Sequence, residues 1–251
     1  MSLVRIVAFS SSRCGNAEYL ETNLPVIKNF IGSNPINIAF IPFATADNKY
    51  EEYGLHVMNS LKDLPHKIEI AFPQTAKSLI ENCDAIMVGG GNTFKLLHDI
   101  YDLNLLDLIR DKVNNGVPYI AWSAGSNILG PTVGTTNDMP IIAPKSFNAL
   151  GLFPFQINPH YLNKKMEGFN GETRDERLEE FLQMNPGIPI VALPEGTGLH
   201  LENNLLKYFG KEQGALFYNE NEETNFIKRE IKDGEDLSFL YKQFYLKNFR
   251  Q

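Results

Sequence analysis

Cysteine is nearly absent, with Cys14 and Cys83 the two thiols in 251 residues. Two thiols so far apart build neither a disulfide framework nor a zinc site. Cys83 stands where a helix should hand over to a strand and reads as a small buried hydrophobe. Cys14 lies in a polar loop with no neighbour to activate it. No run of about 18 apolar residues occurs, so no membrane-spanning helix is expected. Positive charge is in deficit: 23 Lys and Arg face 30 Asp and Glu, a formal net charge of −7. Binding to nucleic acid needs a net basic face, so that class of partner is set aside. Met1–Phe9 lacks a basic region leading into a long apolar stretch, and reads as a first strand instead of a signal peptide. Neither repeats nor low-complexity linkers interrupt the chain. These absences imply a protein of a reducing, cytoplasmic compartment with no membrane partner.

What remains is an ordinary globular composition, 43% hydrophobic and 21% charged, enough for one well-filled core. We read residues 1–251 as a single domain. Short apolar runs alternate with helical patterns. Strands are expected at Leu3–Phe9, Ile36–Phe43, Lys67–Ile70, Ala85–Val88 and Pro118–Ala121. Between them, Tyr19, Leu20, Leu24, Ile27 and Ile31 recur at helical spacing, as do residues around His56–Leu61 and Thr75–Glu81. Leu105, Leu106, Ile109 and Val113 mark another helix face, ended at Asn115-Gly116. Such alternation implies right-handed crossovers and a mostly parallel sheet covered on both faces, a three-layer α/β architecture. Beyond Gly130 a helix at Arg174–Met184, a strand at Ile190–Leu193 and a hairpin turning at Asn203-Asn204 are expected. The charged tail from Glu220 to Gln251 has no assignable pattern.

Ligands of open parallel sheets bind beyond the carboxyl ends of the strands. Two segments fall there. Gly89-Gly90-Gly91-Asn92-Thr93 follows a strand and opens a helix, leaving uncovered N–H groups beside a helix N-terminus. It suits a phosphate or an oxyanion equally, and lacks both nucleotide-binding glycine patterns because Phe94 replaces the last glycine. Ala121-Trp122-Ser123-Ala124-Gly125 joins the fifth strand to a helix. A sharp turn there lifts a serine hydroxyl out of the sheet edge, with small neighbours on both sides. The alternative for Ser123 is a helix cap.

A nucleophilic serine needs a base. Of five histidines, His56, His66, His98 and His200 fall in helices or on the hairpin and read as surface or packing residues. His160 follows Asn158-Pro159 in a loop, and a proline before it holds the loop at low entropic cost. Two acids could orient its imidazole: Asp138, in a polar loop between Ser123 and His160, and Glu195, beyond a late strand. Spacing does not choose between them.

Assembled in order, GGGNTFKLL (Gly89–Leu97), WSAGSN (Trp122–Asn127), TTNDMPI (Thr135–Ile141), FPFQINPHY (Phe153–Tyr161), GETRDERL (Gly171–Leu178) and LPEG (Leu193–Gly196) resemble the peptidase E family of serine peptidases. The resemblance runs from the first strand to about Gly198. It implies a fold like that of class I glutamine amidotransferases (flavodoxin-like), with Ser123 in place of their cysteine. It also implies hydrolysis of Asp-Xaa dipeptides by Ser123 and His160, without metal or cofactor. The protein would be a monomer or homodimer whose partner is a small peptide. Asp138 and Glu195 both occupy positions the family has been thought to use, with Glu195 preferred on placement. The implied oxyanion donors are the N–H of Ala124 and one from Gly90 or Gly91. Arg174, in GETR, resembles the residue that pairs with the substrate's aspartyl carboxylate. Taken alone it would pair with Glu172 or Asp175. Rival expectations are a cyanophycinase-like hydrolase of β-linked aspartyl dipeptides, an amidotransferase-like enzyme, which the absent elbow cysteine disfavours, and a silent binding protein of the same fold.

Overall fold

The computed structural model describes residues 4–162, 164, 168, 170–219 and 226–241. In chain order its first half runs β1 (Ile6–Phe9), α1 (Leu24–Ile31), β2 (Asn37–Ile41), α2 (Tyr50–Ser60), β3 (Lys67–Ile70), α3 (Ala76–Asn82), β4 (Ala85–Val88), α4 (Thr93–Asp102), α5 (Leu106–Asn114) and β5 (Tyr119–Trp122). There follow α6 (Ala124–Asn127), β6 (Gln156–Asn158), α7 (Arg174–Met184), β7 (Ile190–Ala192), β8 (Gly198–Glu202), β9 (Leu205–Phe209), β10 (Gly214–Asn219) and β11 (Phe226–Ile231).

The main sheet has seven strands in the order β3-β2-β4-β5-β1-β8-β9. From β3 to β1 the pairs are parallel, and β8 and β9 add an antiparallel edge. The central strands IVAF, AIMV and YIAW are buried at every residue, as strands covered on both faces must be. Their side chains alternate between two cores. Ile6, Ala8, Ile86, Val88, Tyr119 and Ala121 meet α3, α4 and α5 on one face. Val7, Phe9, Met87, Ile120 and Trp122 meet α1 and α2 on the other. This is the expected α/β layering.

Three differences from the sequence reading follow from non-local packing. The apolar spacing that begins at Tyr19 does not start a helix there: Leu20 has φ of 59°, and α1 begins at Leu24 with Pro25 in its first turn. The strand read at Ile190–Leu193 does not join the main sheet. It is β7 of a second sheet, ordered β11-β10-β7-β6. Ile157, Val191 and Leu216 face the main core, while Ile190, Ala192, Ala215 and Phe217 pack under Leu178 and Leu182 of α7. Part of the unassigned tail is strand β11; residues 220–225 and 242–251 lie outside the described residues. The hairpin β8–β9 does turn at Asn203-Asn204, whose φ values of 53° and 62° suit a type I′ turn.

Candidate active site

Strands β4, β5 and β1 lie side by side, so the segments leaving their carboxyl ends converge. These are Gly89–Gly91, Ser123 and Ser10–Ser12. Because β8 runs antiparallel to β1, with Gly198 opposite Phe9, the chain entering β8 arrives at the same rim. The second sheet delivers the remaining groups. β6 and β7 are parallel neighbours, and the Leu193 N–H donates to Asn158 O (2.9 Å) while the Tyr161 N–H donates to Leu193 O (2.9 Å). Residues 160 and 195, just beyond those two ends, therefore meet.

Ser123 has φ 54° and ψ −116°, a strained backbone outside the ordinary regions. Its hydroxyl does not cap α6. It meets His160 Nε2 at 2.9 Å, and His160 Nδ1 meets Glu195 Oε1 at 2.9 Å. His160 also has a positive φ, 52°, and its N–H donates to Ser10 Oγ (2.9 Å), which donates to Leu193 O (2.7 Å). Ser10 thus holds the imidazole's backbone against β7. The sequence reading passed over it, although its place right after β1 was a signal. A hydroxyl, an imidazole and a carboxylate in this chain can pass a proton from oxygen to nitrogen and stabilise the cation that results. None of the other four histidines touches Ser123: His56 packs on Tyr19, His66 meets Gly32 O, His98 meets Asp99, and His200 packs on Phe30.

The glycine run lies against Ser123. A Cβ on Gly90 would stand 2.8 Å from Ser123 Cβ and 3.0 Å from Trp122 Cδ1. Tyr53 Oη donates to Gly90 O (3.2 Å), and because a trans peptide sets C=O and N–H opposite, this also fixes the Gly91 N–H. Among the described residues, no hydrogen bond engages the N–H groups of Gly90, Gly91 or Ala124. Free amides beside a serine hydroxyl can receive an oxyanion. Gly91 has φ of 137°, and its Cβ would lie 2.4 Å from Ala44 O. Gly91→Ala is expected to lose about 2–4 kcal/mol of stability, read as a lower urea midpoint, because strain and backbone overlap add.

A cavity of about 300 Å³ opens at Ser123 and His160, walled by Tyr19, Tyr53 and Trp122. The Trp122 indole N–H and the Tyr19 hydroxyl both donate to Tyr53 Oη (3.1 and 3.0 Å). Burial pushes both phenols above their ordinary pKa, so they stay neutral.

Asp138 and Arg174 do not touch the imidazole. Asp138 Oδ2 accepts the N–H of Thr93, first residue of α4, at 2.7 Å, and the Thr136 hydroxyl at 3.2 Å. Arg174, first residue of α7, donates to Asn137 Oδ1, and Asn137 Nδ2 donates to Pro159 O (2.7 Å) beside His160. Glu172 and Asp175, the partners considered for Arg174, instead engage Arg177 and Lys228. Burial, then the charge of Arg177, pulls the Arg174 pKa below its usual value. No group of three or more His, Cys, Asp or Glu able to hold a metal occurs among the described residues. No helix among them is long and apolar enough to cross a membrane.

Residues 6–208 match peptidase family S51. The chain belongs to this family. It is 48% identical to a peptidase E of Nostoc sp. strain PCC 7120 over 85% of this chain and 88% of that one. It is 47% identical to a peptidase E of Haemophilus influenzae, over 82% of this chain and 96% of that one. The solved structure of a peptidase from an acI-B1 Actinobacterium shares the fold, with a TM-score of 0.66 at 15% identity over 95% and 98% of the two chains. This S51 member is accordingly a peptidase.

Proposed function

We propose that this peptidase is a serine-type dipeptidase that removes an N-terminal aspartate from Asp-Xaa. One observation carries the reading: the continuous contact from Ser123 Oγ through His160 to Glu195, with both links at 2.9 Å. Ser123 Oγ attacks the carbonyl carbon while His160 Nε2 accepts its proton. The oxyanion rests on the free amides of Ala124 and of Gly90 or Gly91. Collapse breaks the C–N bond, His160 gives the proton to the departing amine, and an aspartyl ester remains on Ser123. Water, deprotonated by His160, then releases aspartate. Glu195 holds the imidazole and stabilises its charged form.

Arg174 is the cation for the substrate's β-carboxylate. It is partly desolvated, stands near a second arginine, and has no acid partner among the described residues. A guanidinium in that state gains by pairing with a planar carboxylate. The test is kcat/KM on Asp-Leu against Asn-Leu, for wild type and Arg174→Gln. Wild type is expected to favour Asp-Leu by roughly 10²-fold or more, from a lost charge-assisted pair, and the variant to lose most of that preference. Wild type cleaving both dipeptides equally, or neither, would end the aspartyl reading.

A further inference from the structure

We propose that Arg13 binds the free carboxylate of the amino acid that leaves, so that the Tyr19 side of the cavity is the leaving-group subsite. This rests on the dipeptidase reading above. A peptide bond held at Ser123 has an acyl side and an amine side, and the surroundings of Ser123 are unequal. Arg174 lies toward Asn137 and does not line the cavity at Ser123, which Tyr19, Tyr53 and Trp122 wall instead. With the aspartyl part directed to Arg174, the rest of the peptide enters the aromatic cavity. At about 300 Å³ it is at the small end of ligand sites, room for one residue and not for an extended chain.

The leaving residue of a dipeptide carries a carboxylate one carbon from the scissile nitrogen, and a buried or half-buried anion needs a partner. Arg13 does not itself line the cavity, but it follows Ser12, which does, and it lies against Tyr19. Its guanidinium lies 5.8 Å from the centre of the Tyr19 ring, so the aromatic wall supports it. Its side chain is exposed, and no carboxylate pairs with it among the described residues, in a chain where acids outnumber bases. The backbone beneath it is held at several points. Ser11 Oγ donates to Arg13 O (2.5 Å), Asn23 Nδ2 donates to Ser11 O (3.0 Å), and the Leu20 N–H donates to Ser12 O (2.8 Å). These bonds fix where the backbone carries the guanidinium beside the cavity. The same device limits length, because a tripeptide places an amide where the carboxylate should be and leaves the guanidinium unpaired.

The experiment compares kcat/KM on Asp-Phe and on Asp-phenylalaninamide, which lacks the carboxylate, for wild type, Arg13→Gln and Arg13→Lys. Wild type is expected to prefer Asp-Phe by roughly 10- to 100-fold, the usual weight of a charge-assisted contact. Arg13→Gln should lose that preference by slowing Asp-Phe alone, with the amide within about twofold of wild type. Arg13→Lys should fall between the two. Equal losses on both substrates, or no loss on either, overturn the assignment while leaving the dipeptidase reading intact. Failure of the wild-type protein to cleave either substrate overturns both.

Discussion

Replacing Ser123 with alanine is expected to lower kcat on Asp-Leu by roughly 10⁴- to 10⁶-fold, the range seen when a nucleophile is deleted from a comparable triad. The hydroxyl is the group in contact with His160 Nε2, and it does no structural work as a helix cap. Its loss should therefore leave the fold intact and substrate binding close to unchanged. His160→Ala alone should cost a similar factor, and the double variant no more than either, because the two groups act as one unit. Residual turnover above water would reflect the free amides of Gly90, Gly91 and Ala124. Steady-state kinetics on the three variants, with thermal midpoints as a control on folding, supply the check. Activity in Ser123→Ala equal to wild type would remove the covalent mechanism.

Glu195→Gln is expected to reduce kcat by roughly 10³- to 10⁴-fold with little change in KM, since a neutral amide cannot stabilise the imidazolium and can favour the wrong tautomer. Asp138→Asn should behave differently. Its carboxylate accepts the N–H of Thr93 at the start of α4, where the helix dipole favours negative charge. Neutralising it should cost about 1 kcal/mol of stability and only a few-fold in kcat. The small kinetic loss would come through its neighbour Asn137, which bonds both Arg174 and Pro159 O. Denaturant curves and kcat measured on both variants separate a stabilising acid from a chemical one. A larger kcat loss for Asp138→Asn than for Glu195→Gln would reverse the assignment proposed here.

The candidate nucleophile was legible because its signal is local. A tight strand-to-helix turn needs small residues at its centre, and Ala121–Gly125 supplies them in the right order. Gly89–Gly91 was legible for the same reason, as a run placed after an all-apolar strand. The choice between Asp138 and Glu195 was legible only as a preference for Glu195 from its place beyond a late strand. It depends on β6 pairing with β7 across more than thirty residues of chain, and each of those strands is only three residues long. So short a strand shows no periodicity to read. Arg13 and Ser10 were passed over because a polar loop after the first strand has no pattern of its own. Their meaning comes from what arrives opposite them.

Local chemistry in the chain was enough to determine the layered α/β core, the serine turn and the glycine run. Alternating burial and tight-turn stereochemistry act over a few residues and so leave a trace in their order. Tertiary structure alone decided that a second sheet exists, that it carries residues 160 and 195 to the same rim as residue 123, and that residue 138 instead accepts the first N–H of α4. Those outcomes are set by contacts between segments far apart in sequence, whose energy depends on the packed whole and not on any stretch of it.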